Sequence, residues 1–407
     1  MNRPPGESKI LLLFLALVVL SSVFHYVHDL AKLQMESQFI DFAHYYTYAK
    51  VVALGLNPFD AQAVAQVDAA LNIRRAGAAP NYPPLFYLFM QPLVVLPFSG
   101  AVVVWGIVVQ ACLFATLALC FRRFQAVSTL WGVAVVFVVL NYQPLVEDLA
   151  LGQTNVVLLF LVTLAWWGLR SRHPWVSACA VAMAMHIKAQ YGLLLPLLWW
   201  MGHGRVALRA CMMAMLGLLV GLAVLGLEQH LAYVRYILHL PEYLHAWVLN
   251  LSYRATLIRL LGGPGDVVAL LLSAVLLIVF ARAIPRAGRP DSDALDMAWG
   301  LGLVAIPLLS PLTEEHHLVV LLFPLILLLL GEPASSMDRK TQVLLVGSIV
   351  LLGSRYSLVQ FPTFHQGGLS LFGIGKLLGI VGLAWVLAVR LAARADPAGC
   401  NRFAQIR

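Results

Sequence analysis

Apolar runs long enough to cross a bilayer follow one another along most of this 407-residue chain. A helix needs about 20 apolar residues to cross the hydrocarbon core. Backbone groups inside that core find no water, so only helices and closed barrels are tolerated there. Short alternating strands of barrel type are missing from the sequence, which leaves an all-α integral membrane protein. The runs lie at 10–28, 84–121 (broken near "LPFSG"), 128–144, 154–170, 174–186, 189–201, 205–227, 266–284, 294–310, 315–331, 340–353 and 368–392. They predict a polytopic bundle of about twelve transmembrane helices. Only 11% of residues are charged and 61% are hydrophobic, against roughly 25% charged in a soluble domain. Residues 1–395 therefore read as a single membrane domain and 396–407 as a short polar tail.

The net charge of +8 does not point to nucleic acid, because of where the basic residues stand. They form short groups between apolar runs: Arg122 with Arg123, Arg170 with Arg172, Arg205 with Arg209, Arg282 with Arg286 and Arg289, Arg339 with Lys340, Arg390 with Arg394. Lys and Arg stay on the cytoplasmic side of membrane proteins. Both termini are then expected inside, in a cytoplasmic membrane. The first run carries no small-x-small cleavage pattern, so it reads as a retained span. Four of the five cysteines lie in apolar runs without a CxxC pair, which suits small hydrophobes better than metal ligands.

With that topology, the polar clusters fall on the outer face: "DFAHYYTY" (41–48), "PNYPPL" (80–85), "VEDLALGQTN" (146–155), "HIKAQY" (186–191), "LNLSYR" (249–254), "SPLTEEHH" (310–317) and "FPTFHQGG" (361–368). The segment 38–55 has helical spacing, with Asp41, Tyr45 and Tyr48 on one face and His44 beside them, and "GLNP" to end it. It reads as an amphipathic juxtamembrane helix on the outer interface; an aromatic belt accounts for its tyrosines equally well. Asp41, the sole acid between residues 37 and 59, is a candidate general base, or a solvated loop acid. Gln153 and Asn155 either bind ligand or cap the next span. Lys188 lies between two short apolar segments and requires a partner, an anionic ligand or an interface to snorkel to. A metal at His316 and His317 is disfavoured, because adjacent histidines diverge on a helix. Donation to a phosphate suits them better, as it suits Arg254.

One carboxylate among scattered cationic donors suits proton removal from a hydroxyl as a phosphate departs. With no P-loop or nucleotide-sugar motif in the sequence, the donor is not expected to be a soluble nucleotide. Asp41 is assigned to catalysis, and Lys188, Arg254, His316, His317, Gln153, Asn155 and Tyr82 to the donor phosphate or sugar. His44, Tyr45 and Glu315 are assigned to the acceptor side. Neither a metal nor another cofactor is called for. A lipid or solute transporter is the competing reading, although transporters carry repeated halves and midplane sites.

The same blocks, "DFAHYYTY", "GLNPFD", "YPPLFYLFMQPLVVLPF", "GQTNVVLLFLVTL", "HIKAQYGLLLPLLWW" and "LSPLTEEHHLVVLLFPL" in that order, resemble glycosyltransferase family 87, membrane enzymes of the GT-C superfamily. The resemblance spans about residues 10–330. It implies a sugar donor on polyprenyl phosphate, mannosyl in the best-known members, and a lipid or glycan acceptor. It also implies inverting chemistry at the outer membrane face. The family's catalytic acid matches Asp41, its lysine in the broken span matches Lys188, and its histidine pair matches His316 and His317. Glu314 stands where the family commonly has an aromatic residue.

Overall fold

The computed structural model describes residues 16–28, 40–73, 81–124, 129–239, 244, 246–284, 292–331, 337–355 and 360–395. Among these residues every regular element is a helix. The expected amino-terminal residues 1–15 and the tail 396–407 lie outside the described residues.

Helix α1 is Ala16–His28. Helix α2, Ile40–Ala53, stops at Gly55, which takes the left-handed conformation (φ +71°) that few other residues tolerate. Helix α3, Ala61–Leu71, was not foreseen; Asp60 caps it through the Gln62 amide, and Asn72 ends it in the left-handed region. Then follow α4 (Pro84–Phe89), α5 (Phe98–Arg123), α6 (Thr129–Leu140), α7 (Gln143–Leu151), α8 (Asn155–Arg170) and α9 (Pro174–Ile187). A 3-10 turn, Ala189–Leu193, leads into α10 (Leu194–Trp200) and α11 (Gly204–Leu238), which is kinked at Gly226. The chain continues through α12 (Tyr253–Leu261), α13 (Pro264–Ala283) and α14 (Ser292–Leu309). A second 3-10 turn, Glu315–Leu321, opens α15 (Leu322–Gly331), and α16 (Arg339–Gly353) and α17 (Gly375–Ala395) complete the bundle.

The apolar segments read from the sequence coincide with these helices, but the count of twelve spans is corrected. Among the described residues, α5, α11, α13 and α17 are long and apolar enough to cross a membrane. A fifth span arises if α6 and α7, bent by 44°, are one broken crossing. Of the others, α8 and α9 are shorter, and the 189–201 segment is split between a 3-10 turn and a seven-residue helix. The result is a multi-pass α-helical membrane protein in which several helices break at polar residues.

The centre of the bundle is α8 with α14 and α15. Leu322 to Leu330 are buried without exception, the mark of a helix enclosed on all sides. Trp299 of α14 donates to the Val162 carbonyl of α8 at 3.1 Å. Asp296, 2% exposed, takes Trp166 Nε1 at 2.7 Å and Arg170 at 2.5 Å, with Arg123 of α5 at 3.7 Å. By contrast, α11 and α13 leave long apolar faces uncovered, as expected of surfaces that meet lipid tails.

Helix α2 departs most from expectation. Phe42 through Ala49 are buried in succession, so the helix does not lie with one face on the interface. Phe42 stacks on Trp105 and Phe98. Tyr46 donates to the Leu96 carbonyl at 2.6 Å, and Gln91 donates to that of Ala49 at 2.9 Å. Aromatic rings with small residues among them fill space on every side, and the phenol oxygens of Tyr45 and Tyr46 find partners inside.

Candidate active site

The site forms where three helix breaks meet the first turn of α2. At the first break, Gly152 ends α7 in the left-handed conformation (φ +69°). The turn it makes lets the Gln153 amide bond back to the Asp148 carbonyl at 2.9 Å. The Gly152 carbonyl is held by Trp105 Nε1 at 2.9 Å, which fixes the turn to α5. Gln153, 8% exposed, then reaches in two directions. Its Nε2 donates to Asp41 Oδ2 at 2.7 Å, and its Oε1 accepts from Tyr45 at 2.7 Å and Tyr82 at 3.0 Å. The two phenols are themselves 2.7 Å apart. Since the tyrosines donate to its oxygen, the amide must turn its NH₂ toward Asp41, and the carboxylate is oriented through a chain of hydrogen bonds.

The same turn starts α8, and neither Gln153 nor Asn155 caps it. The cap is Asp148, a residue of the preceding helix. Its Oδ1 accepts from the Asn155 backbone at 3.2 Å and from Asn155 Nδ2 at 2.7 Å, and its Oδ2 accepts from Val156 at 3.3 Å. A carboxylate at a helix N-terminus is stabilised by the dipole and the free amides. Asn155 is left to accept from Lys188 Nζ at 2.9 Å. The only sequence cue to Asp148 is its acidity seven residues before Asn155.

Lys188 sits at the second break. Its backbone is extended (φ −136°, ψ 114°), so α9 stops there and the 3-10 turn begins. The ammonium approaches the Tyr82 ring at 6.0 Å and lies within electrostatic reach of Asp148, Glu314 and Asp41. At the third break, the 310–314 loop brings in Glu314. His316, 2% exposed, is 3.5 Å from Glu314 Oε2 through Nε2. His317 Nδ1 accepts from the Glu314 amide at 3.2 Å. Ser310 donates to Gln190 at 3.2 Å, tying this loop to the Lys188 turn.

Burial sets the acid–base character of the site. It pushes the Asp41 carboxyl above the ordinary aspartate value, and the Gln153 bond and the Lys188 charge pull it back. Burial pushes Glu314 up to about 7, with Lys188 opposing and Asp41 adding to the rise. A carboxyl in this condition exchanges protons near neutral pH.

Asp41, Tyr45, Tyr82, Gln153, Asn155, Lys188, His316 and His317 are thus brought to one region. His44 packs edge-on against Tyr48 at 4.5 Å. Glu315 faces away, 2.7 Å from Lys376 of α17. Arg254 is held by Asp266 at 2.5 Å, in a cavity of about 350 Å³ lined also by Tyr253, Ser273, Ser310 and Pro311. Asp148, Glu314 and Lys376 carry contacts that the sequence reading did not assign. Among the described residues no three His, Cys, Asp or Glu side chains converge as a metal would need.

The model of glycosyltransferase family 87 matches residues 81–311. That span contains Tyr82, Asp148, Gln153, Asn155, Lys188 and Arg254, and leaves Asp41, Glu314 and the histidine pair outside it. Over 264 residues the chain is 27% identical to the polyprenol-phosphate-mannose-dependent alpha-(1-2)-phosphatidylinositol mannoside mannosyltransferase of Mycobacterium tuberculosis (strain ATCC 25618 / H37Rv). The match covers 60% of this chain and 60% of that relative. No solved structure matches the chain.

Proposed function

Since the chain belongs to glycosyltransferase family 87, and is therefore a glycosyltransferase, we propose that it transfers a hexosyl group, mannosyl by likeness to its relative, from a polyprenyl-phosphate donor to a hydroxyl of a lipid or glycan acceptor, with Asp41 as the general base. The observation that carries this reading is the Gln153 bridge. It aims a half-buried carboxylate, 2.7 Å from the amide, and ties it to the phenol pair beside Lys188.

In this mechanism the acceptor oxygen attacks C1 of the sugar from the face opposite the phosphate. Its O–H bond breaks and the proton passes to Asp41. The C1–O bond to the lipid phosphate breaks, and the phosphate leaves with the electron pair. Lys188 offsets the growing negative charge, while Asn155 holds the ammonium in place. His316 and His317 stand on the donor side, and Tyr45 on the acceptor side. General base assistance contributes about 10²–10⁴-fold, and a fixed cation in a shielded site adds several kcal/mol. The polyprenyl tail lies among the lipid-facing helices, which accounts for a catalytic domain built within the membrane.

The test is transfer in membranes containing the protein, supplied with radiolabelled polyprenyl-phosphate sugars and extracted lipids. Asp41→Asn keeps shape and hydrogen bonding but cannot take a proton, so turnover should drop by at least about 10²-fold while donor binding persists. Wild-type transfer by Asp41→Asn would refute the assignment. The site is read as facing the outer side of the cytoplasmic membrane, with both termini inside. An impermeant thiol reagent should then label Asp41→Cys, in a cysteine-free background, without membrane disruption; labelling only after disruption reverses the orientation.

A further inference from the structure

Lys376 is a buried charge that the mechanism above does not use. It is 3% exposed and lies in the first turn of α17, where the helix dipole disfavours a cation. An ammonium has three N–H donors and no acceptor; here it donates two hydrogen bonds and makes one ion pair. Two go to the carbonyls of Leu352 (2.7 Å) and Ser354 (2.6 Å), at the end of α16. Carbonyls there lack intrahelical partners and favour a cation. The third reaches Glu315 Oε1 at 2.7 Å, on the 3-10 turn that carries His316 and His317.

A cap for α16 needs only the first two bonds. The third crosses to a different part of the bundle and lands beside the candidate active site. A second carboxylate bears on the same point. Glu147 of α7, which packs on the 3-10 turn, has a buried Oε2 without a hydrogen-bond partner. It lies within electrostatic reach of Glu315, Glu314 and Lys376. Lys376 supplies positive charge beside these two acids; without it, Glu315 and Glu147 must take up a proton or move apart, and either changes what holds the turn.

We propose that Lys376 is a positioning residue that fixes, through Glu315, the turn bearing Glu314, His316 and His317. The inference rests on reading that turn as part of the glycosyl-transfer site. It assigns a task to the α16–α17 pair, which lies beyond the residues matched by the family model.

The experiment uses the full chain, purified with lipid, and compares Lys376→Met, Glu315→Leu, the double variant, and Lys376→Met with Glu147→Gln added. Thermal unfolding and transfer kinetics are measured on each. Each single variant should lower kcat by about 10–100-fold, the size of a small displacement of catalytic groups. The double variant should be no worse than the more damaged single, because both changes remove one connection. Adding Glu147→Gln to Lys376→Met should restore part of kcat, a rescue that loss of an α16 cap would not allow. Wild-type kcat in Lys376→Met, losses that multiply in the double variant, or lowered unfolding temperature with unchanged kcat would each overturn the proposal. If Lys376→Met does not fold, Glu315→Leu decides alone, since it leaves the ammonium no acceptor on the turn and keeps both carbonyl bonds; wild-type kcat there refutes the proposal. Asp41→Asn in the same assay tests the base separately, and retained transfer in it would sink that reading while leaving the coupling of residues 376 and 315 measurable.

Discussion

At one end of α8, Arg170 and Arg123 close around Asp296, with Asp293 2.6 Å from Arg123. At the other end, Lys188 stands within reach of Asp41, Asp148 and Glu314. Each cluster has a buried carboxylate, Asp296 in the first and Asp148 in the second, and both join helices distant in sequence. In the first, two guanidinium groups meet two carboxylates, and an indole N–H adds a further bond to Asp296. The planar forks of arginine fit carboxylates and do not release protons. In the second, one ammonium faces three carboxyl groups, and the arrangement is completed by amide and phenol groups. Two carboxylates matched by two guanidinium groups make a fastening. An excess of carboxyls around one lysine leaves proton-accepting capacity that the fold does not consume.

The comparison is broken most sharply by the matched pair Asp41→Asn and Asp296→Asn. The first should lose at least about 10² in turnover with little change in unfolding. The second should lose about 3–5 kcal/mol of stability, because it removes the buried carboxylate shared by Arg170 and Trp166, with turnover per folded molecule unchanged. If Asp296→Asn silences a fully folded protein, the division between fastening and site is wrong.

Lys188→Met comes next. It removes a charged hydrogen bond worth about 1.5–3 kcal/mol, so the donor KM should rise about 10–100-fold and exceed any change in the acceptor KM. Acceptor KM rising alone would move Lys188 off the donor phosphate.

The proton-binding difference between the clusters is visible in pH dependence. Glu314 is raised by burial to about 7, so between the ordinary glutamate value and about 7 the native state holds a proton that the unfolded chain releases. Stability should therefore decline as pH rises through that window, and level off above it. Glu314→Gln should flatten the decline, as followed by chemical denaturation from pH 4.5 to 8. An unchanged slope would mean that Glu314 is not the group responsible.

The smallest effect is expected from Arg254→Met. Its partner Asp266 is half exposed, and ion pairs of this kind contribute about 0–1 kcal/mol. Donor KM should shift only a few-fold. A tenfold rise would return Arg254 to the donor ligands, where the sequence reading had put it.

The matter of what was legible turns on the range of each interaction. Helix α2 was readable in position from the aromatic run and "GLNP", yet its surroundings were not. Periodicity records which residues share a face, while the neighbours that bury Phe42 and Tyr45 come from α5, the 82–86 segment and the turn at Gln153. The break at Lys188 was readable because a lysine between apolar segments cannot remain in a lipid-facing helix. Its partner Asn155 was not, since either a cap or a ligand satisfied the sequence.

By itself the sequence determined that this chain is helical and membrane-embedded, where most of its apolar helices lie, and which polar blocks are out of place in lipid. Those properties follow from local preference and from the cost of unsatisfied polar groups in hydrocarbon. Tertiary structure decided the pairings: Asp148 capping α8, Gln153 joining Asp41 to the tyrosines, Asp266 taking Arg254, and Lys376 taking Glu315. A hydrogen bond or ion pair is settled within about 3 Å, and only the packing of whole helices brings residues from distant stretches of chain that close.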